Sequence, residues 1–215
     1  MGVDLIDKSG LSAMSHQTDL PALRKTLRKQ RISLTRCQRR RAAMAVLCHL
    51  RRQPEWQRAR KVALYLDAFG EVPTHHVLDQ CFRLGKAVYL PVVRHEGQPL
   101  RWARVYRRQW QSRRLTRHYF GMHQPFRQRG VSVRNFDCVV MPLLGFDDRG
   151  HRLGMGGGFY DRTLAYAAHP QHRSGQHKPY RIGLAYDFQQ IAALPVYPWD
   201  VAVNAVVTPS RFLRF

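Results

Sequence analysis

Residues 152–162 read Arg-Leu-Gly-Met-Gly-Gly-Gly-Phe-Tyr-Asp-Arg, which places four glycines, Gly154, Gly156, Gly157 and Gly158, in five positions. Successive peptide N–H groups with no Cβ beside them can wrap phosphate oxygens. A helix that starts where the glycines end adds partial positive charge. Asp161, one turn into such a helix, is placed either to hold a magnesium ion that touches phosphate or to compensate the helix dipole. Arg152 either neutralises phosphate or faces water, and Phe159 and Tyr160 either stack on a ligand ring or join the core. The segment is not a Walker A loop, because no Gly-Lys-Ser/Thr closes it. The dinucleotide fingerprint fails too, since its third glycine would fall on Phe159.

These residues need a scaffold that aims a loop and a helix N-terminus at one point. Asp19-Leu20-Pro21 starts one helix, with a capping carboxylate before a proline of the first turn, and Thr35 to Gln38 has capping-box spacing for a second. From Lys61 the pattern changes to short apolar runs alternating with helical segments. VALYL (62–66), a helix over 74–84 ending at Gly85, and AVYLPVV (87–93) make a β-α-β unit. RWARVY (101–106) alternates like a more exposed strand, and FDCVVMP (136–142) is a buried run. The glycine segment follows with a helix over 158–168, then a surface loop over 169–179, and strands at RIGLAY (181–186) and NAVVTP (204–209). The pattern gives an α/β fold with a mostly parallel sheet, in which ligands collect at the carboxyl ends of the strands.

A chain of 215 residues, 44% apolar, suffices for one buried core. Residues 1–18 are expected to be a disordered extension, with Met14 a candidate start, and 19–215 a single domain. No apolar run reaches the length of a membrane span and no signal-peptide layout opens the chain, so a cytoplasmic protein is expected. Cys37, Cys48, Cys81 and Cys138 form no C-x-x-C pair, which points to reduced structural thiols. Lysine and arginine number 36 against 14 acids, a formal charge of +22. Residues 24–61 hold fourteen basic residues against Glu55, and 101–134 hold ten arginines and no acid. Such a field attracts polyanions, ATP or nucleic acid among them, whatever the fold, and an arginine-biased solvated surface gives the same count.

The order of particular residues carries more. Leu27-Arg28, Tyr65-Leu66, Gly70-Glu71 and Thr74, Gly85-Lys86 before Leu90-Pro91-Val92, and Met141-Pro142-Leu143 before Phe146-Asp147 form the first part of a pattern. Arg152 to Arg162, Gly183-Leu184-Ala185 with Gln189, Leu194-Pro195, Asp200 and Val206-Val207-Thr208 complete it. Over about residues 20–210 the chain resembles the 5-formyltetrahydrofolate cyclo-ligase (5,10-methenyltetrahydrofolate synthetase) family, its bacterial members above all. The resemblance implies a three-layer, Rossmann-like α/β sandwich behind two basic helices. It implies cyclisation of 5-formyltetrahydrofolate to 5,10-methenyltetrahydrofolate with release of ADP and phosphate, using ATP as co-substrate and Mg2+.

By position, the resemblance assigns ATP to Arg24, Arg28, Arg152, Leu153, Gly154, Met155, Gly156, Gly157, Gly158, Phe159 and Tyr160. It assigns the folate to Leu66, Glu71, Met155, Gly156, Gly157, Gly158 and Phe159, and magnesium to Asp161 and Asp200, with no single acid or base as catalyst. Many members have a basic residue where this chain has Gly157, some have Arg at Met155, and Tyr is frequent at Phe159. A monomer is expected, with polyglutamate tails of the folate as candidate users of the 101–134 arginines. Nucleic-acid binding through the basic surface, and a phosphosugar isomerase of similar topology, are the competing classes. The first leaves Glu71, Asp161 and Asp200 without a purpose, and the second needs no ATP.

Overall fold

In the computed structural model, residues 19–93, 95, 97–112, 115–117, 123–125, 130–168 and 179–215 are described. The expected extension over 1–18, most of the 169–179 loop and part of the arginine-rich 101–134 stretch lie outside them. Two helices open the chain, α1 (Leu20–Ser33) and α2 (Arg36–Leu50). Asp19 caps α1 by accepting from the Ala22 N–H, and Thr35 with Gln38 forms the expected capping box on α2. Then come α3 (Pro54–Arg58), β1 (Lys61–Ala63), α4 (His75–Arg83), β2 (Ala87–Val92), β3 (Arg101–Val105), α5 (Arg107–Gln111), β4 (Leu115–Arg117) and β5 (His123–Pro125). The rest is β6 (Cys138–Pro142), β7 (Gly145–Phe146), β8 (Arg152–Leu153), α6 (Phe159–Ala168), β9 (Tyr180–Leu184), β10 (Ala205–Val207) and β11 (Phe212–Arg214).

Seven strands form one sheet in the order β11-β10-β9-β6-β1-β2-β3. The five central strands are parallel, and the edges β3 and β11 pair antiparallel to β2 and β10. Counted along the chain, the parallel strands follow the order 2-1-3-4-5 of a doubly wound sheet, so the strand order reverses between β1 and β6. Strand residues alternate between two cores. Val62, Leu64, Val140 and Ile182 face the layer of α2 and α4, while Ala63, Val139, Met141 and Val206 face the layer that contains Leu164 of α6. This is the three-layer α/β fold implied above. Among the described residues no helix is long and apolar enough to cross a membrane.

A third cluster fixes the site. Leu20, Leu23 and Leu27 of α1 pack against Leu144, Leu153, Ile191 and Leu194. Their helical spacing leaves Arg24, Arg28 and Arg31 on an adjoining stripe of the same helix. Packing these leucines beside the β7–β8 hairpin therefore sets Arg24 on the Gly154 carbonyl and Arg31 on the Leu143 carbonyl, while Arg28 stays exposed.

The apolar run 62–66 predicts a strand longer than observed. After Leu64, whose N–H still reaches the Tyr89 carbonyl (2.9 Å), the chain leaves the sheet. Thr74 holds the departure, its Oγ1 donating to the Tyr65 carbonyl (2.8 Å) and its N–H to Asp67 Oδ1 (3.1 Å). The short helices α3 and α5 and the hairpin strands β7 and β8 carry too few residues to show a period, so nothing in the pattern announces them. All four cysteines are free, Cys81 and Cys138 buried and Cys37 and Cys48 exposed.

Candidate functional site

Two loops leave the sheet at the point where its strand order reverses. One follows β1 and carries Leu66, Phe69 and Glu71. The other follows β6, turns through the β7–β8 hairpin and becomes the glycine segment. Asp147 holds the hairpin turn: Oδ1 accepts from the N–H groups of Arg149 (3.0 Å) and His151 (2.9 Å), and Oδ2 pairs with His151 Nδ1 (2.8 Å). Burial would raise the Asp147 carboxyl, but these hydrogen bonds outweigh it and hold the group below the usual carboxylate range. The hairpin is thus pinned at its tip and packed at its base by α1.

Beyond β8 the glycine segment is open at Gly154 and Gly156, while Gly157 and Gly158 lie against the Phe159 and Arg162 side chains. An added Cβ at Gly154 or Gly156 would meet no atom within 4 Å, and Gly156 adopts φ +103°, a backbone state that side chains disfavour. The segment borders a cavity of about 450 Å³ lined by Arg24, Arg152, Gly154, Gly156, Gly158, Asp161, Arg162 and Asp200, with Tyr197 and Trp199 on its wall. Arg24 Nε donates to the Gly154 carbonyl (3.1 Å), which fixes how the first turn of the loop sits on α1. Arg152 Nη2 donates to Asp161 Oδ1 (2.6 Å), and the Arg152 side chain is only 6% exposed. Its Nε is buried with no hydrogen-bond partner among the described residues. Arginine side chains beside an open stretch of glycine backbone at a helix start suit a phosphate ligand.

The carboxylates expected to hold magnesium both line this cavity. Asp161 Oδ1 is held by Arg152 and by the Val201 N–H (3.4 Å), and Asp200 Oδ2 accepts from the Tyr197 N–H (2.9 Å). No cluster of three or more His, Cys, Asp or Glu forms among the described residues. Two carboxylates suffice for magnesium, which keeps several waters and takes its remaining oxygens from phosphate. The donor set therefore suits a metal that arrives with a nucleotide.

Glu71 occupies the opposite loop. Its side chain is 10% exposed, Oε1 lies 3.9 Å from Arg31 Nη2, and Oε2 accepts from the Ala68 N–H (2.9 Å). Burial pushes its carboxyl up to about 7, against the pull of the Ala68 N–H and of Arg31. Gly70, at φ +77°, lets this loop touch α1, since a Cβ there would stand 2.7 Å from the Arg31 carbonyl oxygen. Leu66 is half-buried against the core layer beneath.

Arg31 joins the two loops. Only 1% exposed, it donates to the Phe69 carbonyl after β1 (3.0 Å) and to the Leu143 carbonyl after β6 (3.3 Å), and its Nη2 lies 3.9 Å from Met155 Sδ in the glycine segment. A buried cation is costly unless paired and hydrogen-bonded. Here that cost fixes one guanidinium between the acid loop and the glycine loop.

The residues expected to act together fall into two groups. Arg24, Arg152, Leu153, Gly154, Gly156, Gly158, Asp161 and Asp200 line the cavity. Arg28 instead lies over the exposed Phe69 ring, 5.3 Å from its centroid, on the side of Glu71. Tyr160 packs edge-on against Trp102 in the core (6.3 Å), and Phe159 packs partly against the same core. Arg162 extends beside the loop residue expected to lack a cation. It donates to the Gly157 carbonyl, sits 5.5 Å over the Phe159 ring and lines the cavity. Sequence reading missed Arg31, Arg162, Tyr197 and Trp199. For Arg31 the signal was present, because 24, 28 and 31 fall on one helical stripe.

Comparison with known proteins identifies the family. The 5-formyltetrahydrofolate cyclo-ligase family model matches residues 16–209. The 5-formyltetrahydrofolate cyclo-ligase of Escherichia coli (strain K12) is 35% identical over 187 residues, 86% of this chain and 97% of that protein. That of Haemophilus influenzae is 34% identical over 182 residues, 83% and 91% of the two chains. Among solved structures, 5,10-methenyltetrahydrofolate synthetase from Aquifex aeolicus superposes with a TM-score of 0.74 at 32% identity, covering 91% of this chain and 92% of the other. A loop after β1, a glycine hairpin after β6 and a match over nearly the whole length lead to one conclusion: the chain belongs to the 5-formyltetrahydrofolate cyclo-ligase family of enzymes.

Proposed function

We propose that the protein couples ATP hydrolysis to ring closure of 5-formyltetrahydrofolate, with the triphosphate in the glycine cavity and the pterin at Glu71. The observation that carries this reading is the buried Arg31, which ties the acid loop to the glycine loop across the point where the strand order reverses. A formamide oxygen is a very poor leaving group, so N10 cannot displace it directly. Transfer of the γ-phosphoryl group to the formyl oxygen turns it into a phosphate ester. N10 then attacks the formyl carbon and loses its proton, and the oxygen departs with phosphate, leaving ADP and the methenyl bridge.

Such chemistry asks mainly for in-line positioning and charge neutralisation. Arg24 and Arg152, the backbone of Gly154 to Gly158 and the α6 N-terminus supply these on the phosphate side. Arg162 stands where the chain lacks a loop cation. Asp161 and Asp200 would hold magnesium, which supplies further charge neutralisation when bound. Leu66, Glu71 and the stretch from Met155 to Phe159 face the folate. Glu71 accepts the paired N–H donors of the aminopyrimidine edge, and Arg28 with Phe69 borders the same side.

The test is a near-ultraviolet absorbance assay for the methenyl bridge with purified protein, 5-formyltetrahydrofolate and magnesium. The expected result is a rise that requires ATP; a folded protein giving no rise, or a rise without ATP, overturns the reading. Within that assay, Asp161→Asn is expected to raise the magnesium concentration for half-maximal rate about tenfold or more. Asparagine keeps the shape and an oxygen for Arg152 but loses the charge and one acceptor oxygen, so an unchanged magnesium titration would place the metal elsewhere.

A further inference from the structure

We propose that Tyr197 and Trp199 are the platform on which the nucleobase of the triphosphate stacks. This rests on the reading that the glycine cavity takes the phosphates. Trp199 leaves 63% of its surface exposed and Tyr197 43%, and neither joins the three buried clusters. Exposed large rings that belong to no core mark a binding surface when they adjoin a ligand cavity, and these two line the cavity that holds the phosphate cradle. The rings are stacked on each other, with centroids 5.2 Å apart and planes 4° apart.

The turn that carries the rings is closed by two hydrogen bonds. The Tyr197 N–H donates to Asp200 Oδ2 and the Asp200 N–H donates back to the Tyr197 carbonyl, each at 2.9 Å. The turn that presents the rings is therefore closed by the carboxylate expected to hold magnesium. A nucleoside triphosphate carries its charge at one end and a flat aromatic ring at the other. The cavity lining offers both kinds of partner, Arg24, Arg152, Arg162 and the glycines for charge, and Tyr197 and Trp199 with Leu194 and Pro195 for a flat apolar ring. Two exposed rings on its lining offer the base a face to stack on, and stacking on aromatics is effective for any base.

The experiment compares wild-type protein, Trp199→Ala and Trp199→Phe in the absorbance assay, with ATP as substrate and inorganic tripolyphosphate as a competing ligand that has no base. Trp199→Ala is expected to raise the KM for ATP about tenfold. The tripolyphosphate inhibition constant and the KM for the folate should stay at their wild-type values, and Trp199→Phe should recover most of the loss. In parallel, ATP should quench the tryptophan fluorescence of the wild type, and that quench should be absent in Trp199→Ala. Equal weakening of ATP and tripolyphosphate would mean a distorted loop and overturn the platform. A rise in the folate KM instead of the ATP KM would assign the rings to the folate and overturn it equally, as would no change in either. A wild-type reaction that needs no ATP would instead overturn the reading of the cavity itself.

Discussion

Gly156→Val is expected to abolish nucleotide binding while leaving the fold intact. Two effects act together. Gly156 sits at φ +103°, where a β-branched residue is strained by an amount on the order of a few kcal/mol, so the loop would leave its present path. The isopropyl group would also enter the space proposed for the phosphates, since nothing within 4 Å now occupies the Cβ position. That same openness limits the damage to stability, because no core contact is displaced and Gly156 is exposed. The expected outcome is a drop in kcat/KM for ATP of about 10²-fold or more, with a thermal unfolding midpoint close to wild type. Gly156→Ala, strained but small, should fall between. Direct titration of ATP against the variant decides the matter: normal affinity would mean that the open loop is no phosphate cradle.

Legibility of this chain follows from the physics of each signal. The first two helices were readable to the cap, because Asp19 and the Thr35–Gln38 box are local interactions that short sequence windows contain. The central strands were readable as apolar runs, because both faces of a doubly wound sheet are buried. Their pairing order was not, since register and neighbour choice depend on contacts distant in sequence. Gly154 to Gly158 announced an open loop by composition alone. Glu71 did not announce itself, because an acid in a loop reads as solvated until the fold covers it. Arg31 is the sharper case. By type it belongs at the surface, and only the docking of Leu20, Leu23 and Leu27 beside the hairpin turns this one side chain inward. Resemblance supplied Glu71 and Asp200 residue by residue, but not Arg31, Arg162, Tyr197 or Trp199, which become visible through their contacts.

Glu71→Gln should affect the folate and leave the nucleotide alone. In the free protein burial holds the Glu71 carboxyl near neutrality, raised from 4.5 to about 7. A carboxyl whose folded pKa lies above its unfolded value binds its proton more tightly in the folded chain. Its contribution to stability is complete below about 4.5 and is lost as pH rises through about 7. Denaturant unfolding of the ligand-free protein should therefore show a decline across that window that Glu71→Gln removes. Binding runs the other way: the aminopyrimidine edge presents two N–H donors, which the ionised carboxylate accepts and a protonated carboxyl accepts poorly. The wild-type kcat/KM for 5-formyltetrahydrofolate should accordingly rise as pH passes about 7. Glutamine keeps the shape but offers one oxygen and an N–H donor facing a donor, so kcat/KM for the folate should fall about 10- to 100-fold, with a flat profile and an unchanged KM for ATP. Steady-state kinetics from pH 5.5 to 8.5 on both proteins separates these outcomes, and a variant that keeps the wild-type folate KM would remove Glu71 from the pterin site. Opposite signs for stability and for the proposed substrate capture follow from one cause, a carboxylate desolvated in advance with Arg31 and the Ala68 N–H beside it.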